Sequence, residues 1–280
     1  MIERRLSCLG PSGFHQIVYS EWPGPASAPT LVCVHGLTRN GRDFDALAEA
    51  LSASFRVVCP DVAGRGKSAW LSDPADYNYP VYLADMAALI ARLDVEQVDW
   101  VGTSMGGLIG MMLAARPGAP IRRLVINDIG PLIAKEGLAR IASYVGLDPG
   151  FRDLAEIEAA LRVVAASFGP LSDGQWRHLA THSARAKPDG GLGFAYDPRI
   201  GDAFRAAPPD DIDLWSTYDA VRCPTLVVRG ADSDLLRRAD AEAMTRRGPR
   251  ARLVEFPGIG HAPALMAPDQ IAAIRDFLLA

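Results

Sequence analysis

Short, nearly continuous apolar runs alternate along this chain with segments whose apolar positions recur every three or four residues. The runs are Ile17–Ser20, Leu31–Val34, Arg56–Cys59, Val98–Val101, Leu124–Ile126, Leu226–Val228 and Leu253–Phe256. Most do not alternate with polar residues, which predicts strands covered on both faces. Between them, Phe44, Leu47, Ala48 and Leu51 fall at i, i+3, i+4 and i+7, as do Met86, Leu89, Ile90 and Leu93. Ile271, Ile274 and Leu278 line one face of a last helix. Strand–helix alternation of this kind predicts an α/β fold, a mostly parallel sheet with helices on both sides.

The alternation stops between about Pro131 and Ser216. That stretch carries helical patterns around Leu138–Val145, Leu154–Phe168, Trp176–Ala186 and Leu214–Val221, and no strand is expected in it. Asp148-Pro149-Gly150, Gly169-Pro170, Pro188-Asp189-Gly190-Gly191 and Pro208-Pro209 break it up. The reading is a core domain of residues 1–130 and 217–280 with a helical insert at 131–216. A peripheral packing layer is the plainer alternative for the insert.

Composition narrows the class. With 280 residues, 49% of them hydrophobic, the chain can bury one large core and a modest insert. A net charge of −4 leaves no basic surplus for nucleic acid or an anionic membrane. No stretch approaches the roughly 20 apolar residues of a membrane span, and the start, Met1-Ile2-Glu3-Arg4-Arg5, leads into no signal-peptide core. Cys8, Cys33, Cys59 and Cys223 are scattered, with no C-x-x-C pair. The expectation is a reduced, cytoplasmic protein with no disulfide framework, no metal site and no cofactor, a monomer or homodimer acting on a small molecule.

The candidate chemistry centres on Ser104 in Gly102-Thr103-Ser104-Met105-Gly106, a G-x-S-x-G stretch between an apolar run and a helical one. In that setting a strand enters a sharp turn, the hydroxyl stands exposed, and helix amides point at the site. The glycines fit because so sharp a backbone leaves no room for Cβ atoms beside the serine. Such a nucleophile needs a base, an orienting acid and oxyanion donors. His261, in Gly258-Ile259-Gly260-His261 past the last strand, is the expected base. The acid is expected after Leu226–Val228, where Asp234, held inward by Leu235-Leu236, is preferred over Asp232. Asp128, at the end of the preceding strand, is a geometrically possible third choice, but hinge and cap anchoring is its preferred reading. The amides of Met105 and Leu37 are the candidate oxyanion donors. His35 is expected to brace the Leu37 loop, and His35, Gly36 and Thr103 are placed among the substrate-binding residues. Gly66-Lys67-Ser68 does not make a phosphate loop, because Asp61 stands where that motif needs glycine.

The His35-Gly36 loop, Asp61-x-x-Gly64-x-Gly66-x-Ser68, Gly102-x-Ser104-Met105-Gly106-Gly107, Gly230-x-x-Ser233-Asp234 and Gly260-His261 occur in the order of the α/β-hydrolase fold family, which the chain resembles over nearly its whole length. The resemblance implies an eight-stranded sheet and a cap domain after the sixth strand. It also implies Ser104 as nucleophile, Asp234 as acid and His261 as base, and an esterase acting on small or medium acyl esters or lactones. A carbon–carbon hydrolase of ring-fission products or an acyltransferase on the same triad are alternatives, and a ligand receptor with little turnover is a third. Members of the carbon–carbon group resemble this chain in Ser-Met-Gly-Gly, but Thr103 and Ala262 depart from their pattern.

Overall fold

A computed structural model describes residues 1–188, 190–205 and 210–280. Asp189 and the Pro208-Pro209 break lie outside the described residues. The chain opens with a hairpin, β1 (Ile2–Gly10) and β2 (Gly13–Trp22). Then come β3 (Thr30–Val34), α1 (Asp45–Leu51), β4 (Arg56–Pro60), α2 (Tyr79–Arg92), β5 (Val98–Thr103), α3 (Met105–Ala114) and β6 (Ile121–Asn127). The stretch after β6 holds β7 (Leu132–Ile133), α4 (Lys135–Ala142), α5 (Leu154–Val164), α6 (Asp173–Ser183), β8 (Ala184–Ala186), β9 (Leu192–Phe194), α7 (Asp202–Arg205) and β10 (Ile212–Asp213). The chain then returns through α8 (Trp215–Ala220), β11 (Thr225–Gly230), α9 (Arg238–Met244), β12 (Arg252–Phe256) and α10 (Pro268–Leu279).

Eight strands form one sheet in the order β1-β2-β4-β3-β5-β6-β11-β12. Only β2 runs against the others. The unbroken apolar runs have a direct cause here. Successive side chains of a strand point to opposite faces, and both faces are covered. Val32 and Val34 of β3 join Trp100, Leu124 and the helix α2 residues Met86 and Leu89 on one side. Leu31 and Cys33 join Val101, Val125, Leu47 and the α10 residues Ile274 and Phe277 on the other. Strand β1 was not foreseen because it is one-sided: Glu3, Arg4 and Arg5 are exposed while Leu6 and Cys8 are buried. It pairs in full register with β2, from Ile2 opposite Glu21 to Gly10 opposite Gly13.

Some helices start where side chains can take up their free amides. Asn78 accepts from Val81 N–H at the head of α2, and Ser172 and Gln175 form a reciprocal capping box at the head of α6. The insert is not strandless. Residues of β8 and β9 form a small hairpin, and β7 pairs with β10 across the two ends of the insert. These strands of two or three residues are too short to leave a periodic signal. Helices α5 and α6 share their own apolar cluster, in which Ile157, Leu161, Trp176 and Leu179 are buried with Met266. Helix α8 straddles the expected boundary at 216 and belongs with the core, because buried Tyr218 packs there and donates its hydroxyl to the Met244 carbonyl at 2.7 Å. Among the described residues no helix is long and apolar enough to cross a membrane.

Candidate active site

Strand β5 delivers Ser104 at its carboxyl end. The residue has φ 52° and ψ −116°, a conformation that costs energy for any residue with a side chain and lifts the hydroxyl off the sheet. The turn closes because its neighbours are glycines. A Cβ on Gly106 would lie 1.9 Å from the Val34 carbonyl oxygen, and one on Gly102 would lie 2.2 Å from the Gly106 oxygen. The turn is pinned from β6, where the Asn127 carbonyl accepts from Ser104 N–H at 2.9 Å.

His261 sits past β12 with Nε2 3.0 Å from Ser104 Oγ. Its other nitrogen, Nδ1, is 2.8 Å from Asp128 Oδ2. Asp128 is fully buried at the end of β6 and also accepts from Gly230 N–H at 2.8 Å and from the Ser233 hydroxyl at 2.6 Å. With three donors converging on it, this carboxylate fixes the imidazole as the tautomer with hydrogen on Nδ1, so that Nε2 faces the serine as an acceptor.

The structure therefore corrects the expectation for Asp234. Its side chain is half exposed and forms an ion pair with Arg140 of α4, away from His261. Leu235 and Leu236 do turn inward, but this throws Asp234 out, and it is Ser233 that reaches the site. Asp232 is exposed as well.

The loop after β3 brings Leu37 to the same place. His35 is buried, with Nδ1–H donating to the Gly36 carbonyl at 2.7 Å and Nε2 accepting from Val62 N–H at 2.9 Å. It braces the loop with both ring nitrogens engaged and does not line the cavity that borders Ser104. Burial pushes its imidazole down to about 4, with the Gly36 carbonyl opposing that shift. Gly36 lies against Ser104, and a Cβ there would sit 3.6 Å from the serine Cβ. Neither Leu37 N–H nor Met105 N–H makes a hydrogen bond inside the protein among the described residues, which leaves both amides available to a ligand beside Ser104.

Asn127 is a site residue that sequence reasoning passed over. Its Nδ2 donates to Thr103 Oγ1 at 3.0 Å and to the Pro263 carbonyl at 2.9 Å, tying the Ser104 strand to the His261 loop. The insert adds a brace of its own, with the Ser167 hydroxyl donating to the His261 carbonyl and Gly260 N–H donating to the Ser167 carbonyl. Asp61 shapes the neighbouring loop by accepting from Gly41 and Lys67 amides at 2.7 and 2.8 Å. Burial raises its carboxyl to about 6.

Ser104, His261, Leu37 and Thr103 border a cavity of about 350 Å³ whose far wall comes from the insert. Tyr144, Leu147, Phe151, Leu161, Phe168 and Phe194 make that wall mainly apolar. A volume of this size suits a small or medium ligand. His178 and His182 lie outside it, on α6, in edge-to-face contact at 4.6 Å.

This geometry agrees with the comparisons. A family model described as the alpha/beta hydrolase family matches residues 31–274. The chain is 48% identical over 282 residues to the 3-hydroxybutyrate-oligomer hydrolase of Cupriavidus necator, covering 97% of this chain and 96% of that protein. It is 28% identical over 238 residues to esterase Rv0045c of Mycobacterium tuberculosis, covering 84% and 76%. A solved structure of a putative hydrolase from Rickettsia typhi superposes with a TM-score of 0.93 at 31% identity, covering 100% and 99%. A turn built around Ser104, an eight-stranded sheet and relatives matched nearly end to end place the chain in the alpha/beta hydrolase family, as an ester-hydrolysing enzyme.

Proposed function

We propose that the protein is a serine hydrolase that cleaves carboxylic esters of small to medium acyl groups through an acyl-enzyme, with short linear oligomers of a hydroxy acid as its substrate class. The observation that carries this reading is the hydrogen-bonded line from Ser104 Oγ to His261 Nε2 to Asp128, at 3.0 and 2.8 Å. Ser104 Oγ attacks the ester carbonyl while His261 Nε2 takes its proton. Asp128 steadies the imidazolium. The amides of Leu37 and Met105 receive the oxyanion. His261 then protonates the leaving alkoxide, and a water activated by the same nitrogen releases the acid.

The insert, residues 131–216, serves in this reading as a cap over the core of residues 1–130 and 217–280. Its apolar side chains hold the acyl part, and a cavity of about 350 Å³ has room for a few repeat units. The choice of hydroxy-acid oligomers rests on the 48% identical relative named for that substrate. The test incubates wild type and Ser104→Ala with a linear 3-hydroxybutyrate trimer and with p-nitrophenyl butyrate, and follows released acid. Wild type is expected to cleave both and the variant neither. Failure of wild type on both substrates overturns the proposal, and cleavage of the simple ester alone overturns the substrate class.

A further inference from the structure

Arg65, in the Gly64-Arg65-Gly66 turn, is fully buried. Burying a guanidinium is costly, and it stays charged. Among the described residues no carboxylate lies within ion-pair distance of it. The buried acids nearby are engaged elsewhere, Asp61 by the Gly41 and Lys67 amides and Asp197 by Tyr77 and Arg199. Arg65 instead donates from Nε to the Leu37 carbonyl at 2.8 Å and from Nη1 to the Ala63 carbonyl at 2.7 Å and the Tyr82 hydroxyl at 2.8 Å. Its Nη2 lies 3.7 Å from Met105 Sδ. The guanidinium carbon sits 5.0 Å from the Tyr82 ring centre and 5.7 Å from that of Tyr77, faces that favour a cation.

Two of these contacts fall on Leu37 and Met105, the residues whose amides are the candidate oxyanion donors. The peptide before Leu37 is oriented through the Gly36 carbonyl, which His35 Nδ1 and Arg39 N–H both hold. The peptide after Leu37 is oriented through its own carbonyl, which Arg65 holds. The Leu37 N–H lies in the first of these planes, and the second, held by Arg65, limits rotation of the first about the Leu37 Cα. The charge behind the loop also has the sign that offsets an oxyanion, and an enclosed site screens it little.

We propose that Arg65 is the positioning residue of the oxyanion site: it orients the Leu37 amide, seats Met105 at the head of α3, and supplies a fixed positive charge that acts when the tetrahedral oxyanion forms. This rests on the serine-hydrolase reading above. Because the carbonyl of bound substrate carries little charge, the effect falls on kcat and leaves KM nearly unchanged.

The experiment compares wild type, Arg65→Lys and Arg65→Met for kcat and KM on p-nitrophenyl butyrate, and for inhibition by a butyl boronic acid, whose serine adduct carries the tetrahedral negative charge. The expected result is a kcat lower by about 100-fold in Arg65→Met, a smaller loss in Arg65→Lys, KM within about twofold, and boronate affinity falling in step with kcat. Should Arg65→Met not fold, Arg65→Lys carries the test alone. A folded variant whose kcat is intact, or whose boronate affinity is unchanged while kcat falls, overturns the assignment. Absence of Ser104-dependent ester hydrolysis in wild type is a separate outcome, and it overturns the underlying reading instead.

Discussion

Replacing Asp128 by Asn removes one charge and almost no volume, and the hydrogen bonds around the carboxylate dictate how the site responds. Three donors meet it: Gly230 N–H on Oδ1, and the Ser233 hydroxyl and His261 Nδ1–H on Oδ2. An Asn side chain offers one oxygen and one NH₂. With the oxygen toward Gly230, the NH₂ faces His261 Nδ1, which must then accept. The imidazole proton moves to Nε2, and the base can no longer take a proton from Ser104. The flipped amide sets two buried donors against each other at Gly230, at a cost of about 1–3 kcal/mol, so the first arrangement prevails. The expected loss in kcat is about 10⁴-fold. KM should change little, because Asp128 lies behind His261. Asp234→Asn is the matched control. Its pair with Arg140 has side chains 51% and 39% exposed, so its stability effect is about 0–1 kcal/mol and its kcat should stay within about twofold of wild type. The assay is steady-state hydrolysis of p-nitrophenyl butyrate, with a thermal melt of each variant. A kcat for Asp128→Asn within tenfold of wild type, or a collapse in Asp234→Asn, would refute the reasoning.

Ser104→Ala should lower kcat by about 10⁴-fold or more and abolish labelling by a fluorophosphonate; persistent labelling at another residue would move the nucleophile. Gly106→Ala sets a methyl 1.9 Å from the Val34 oxygen and should destabilise the fold by about 3 kcal/mol, read as a lowered denaturant midpoint, so an unchanged midpoint counts against the tight turn. His35 has its folded-state pKa depressed from 6.5 to about 4, so its contribution is present above 6.5 and is lost as pH falls toward 4. That loss is on the order of 3 kcal/mol. The stability gap between wild type and His35→Asn should therefore shrink as pH drops across that window, and a constant gap contradicts the neutral, doubly bonded imidazole. Val164→Trp narrows the cavity from the insert side and should lower kcat/KM for an octanoyl ester about tenfold more than for an acetyl ester; equal losses would place the acyl chain elsewhere.

The sheet was legible because strands covered on both faces write unbroken apolar runs, as at Leu31–Val34 and Leu226–Val228. The Ser104 turn was legible because Gly102 and Gly106 answer steric demands that no other residue meets. What escaped was governed by neighbours distant in sequence. Strand β1 exists because β2 gives it a partner, and its charged exposed face hid the apolar one. The partner of His261 was misread because Asp128 and Asp234 both lie in loops that follow apolar strands, and only packing distinguishes them. Burying Leu235 and Leu236 rotates Asp234 into solvent, while the Gly230 amide and the Ser233 hydroxyl gather on Asp128. Asn127 had no pattern to announce it, since both partners of its amide nitrogen lie on other segments.

The ladder between β7 and β10 joins residues close to the two ends of the insert. Leu132 lies opposite Asp213, Ile133 opposite Ile212, and Leu214 N–H donates to the Pro131 carbonyl at 2.7 Å. The whole roof of the cavity thus leaves and re-enters the core through a seam about one strand spacing wide, ~4.8 Å. A loop closed at its root in this way behaves as a cassette: another closed segment spliced at Pro131 and Leu214 meets the same two ends at the same separation. Asp128 stands just upstream of that seam, on the core side. In the proposed reading, exchanging the roof would rewrite selectivity while Asp128, Ser104 and most of the hydrogen bonds that aim them stay with the core.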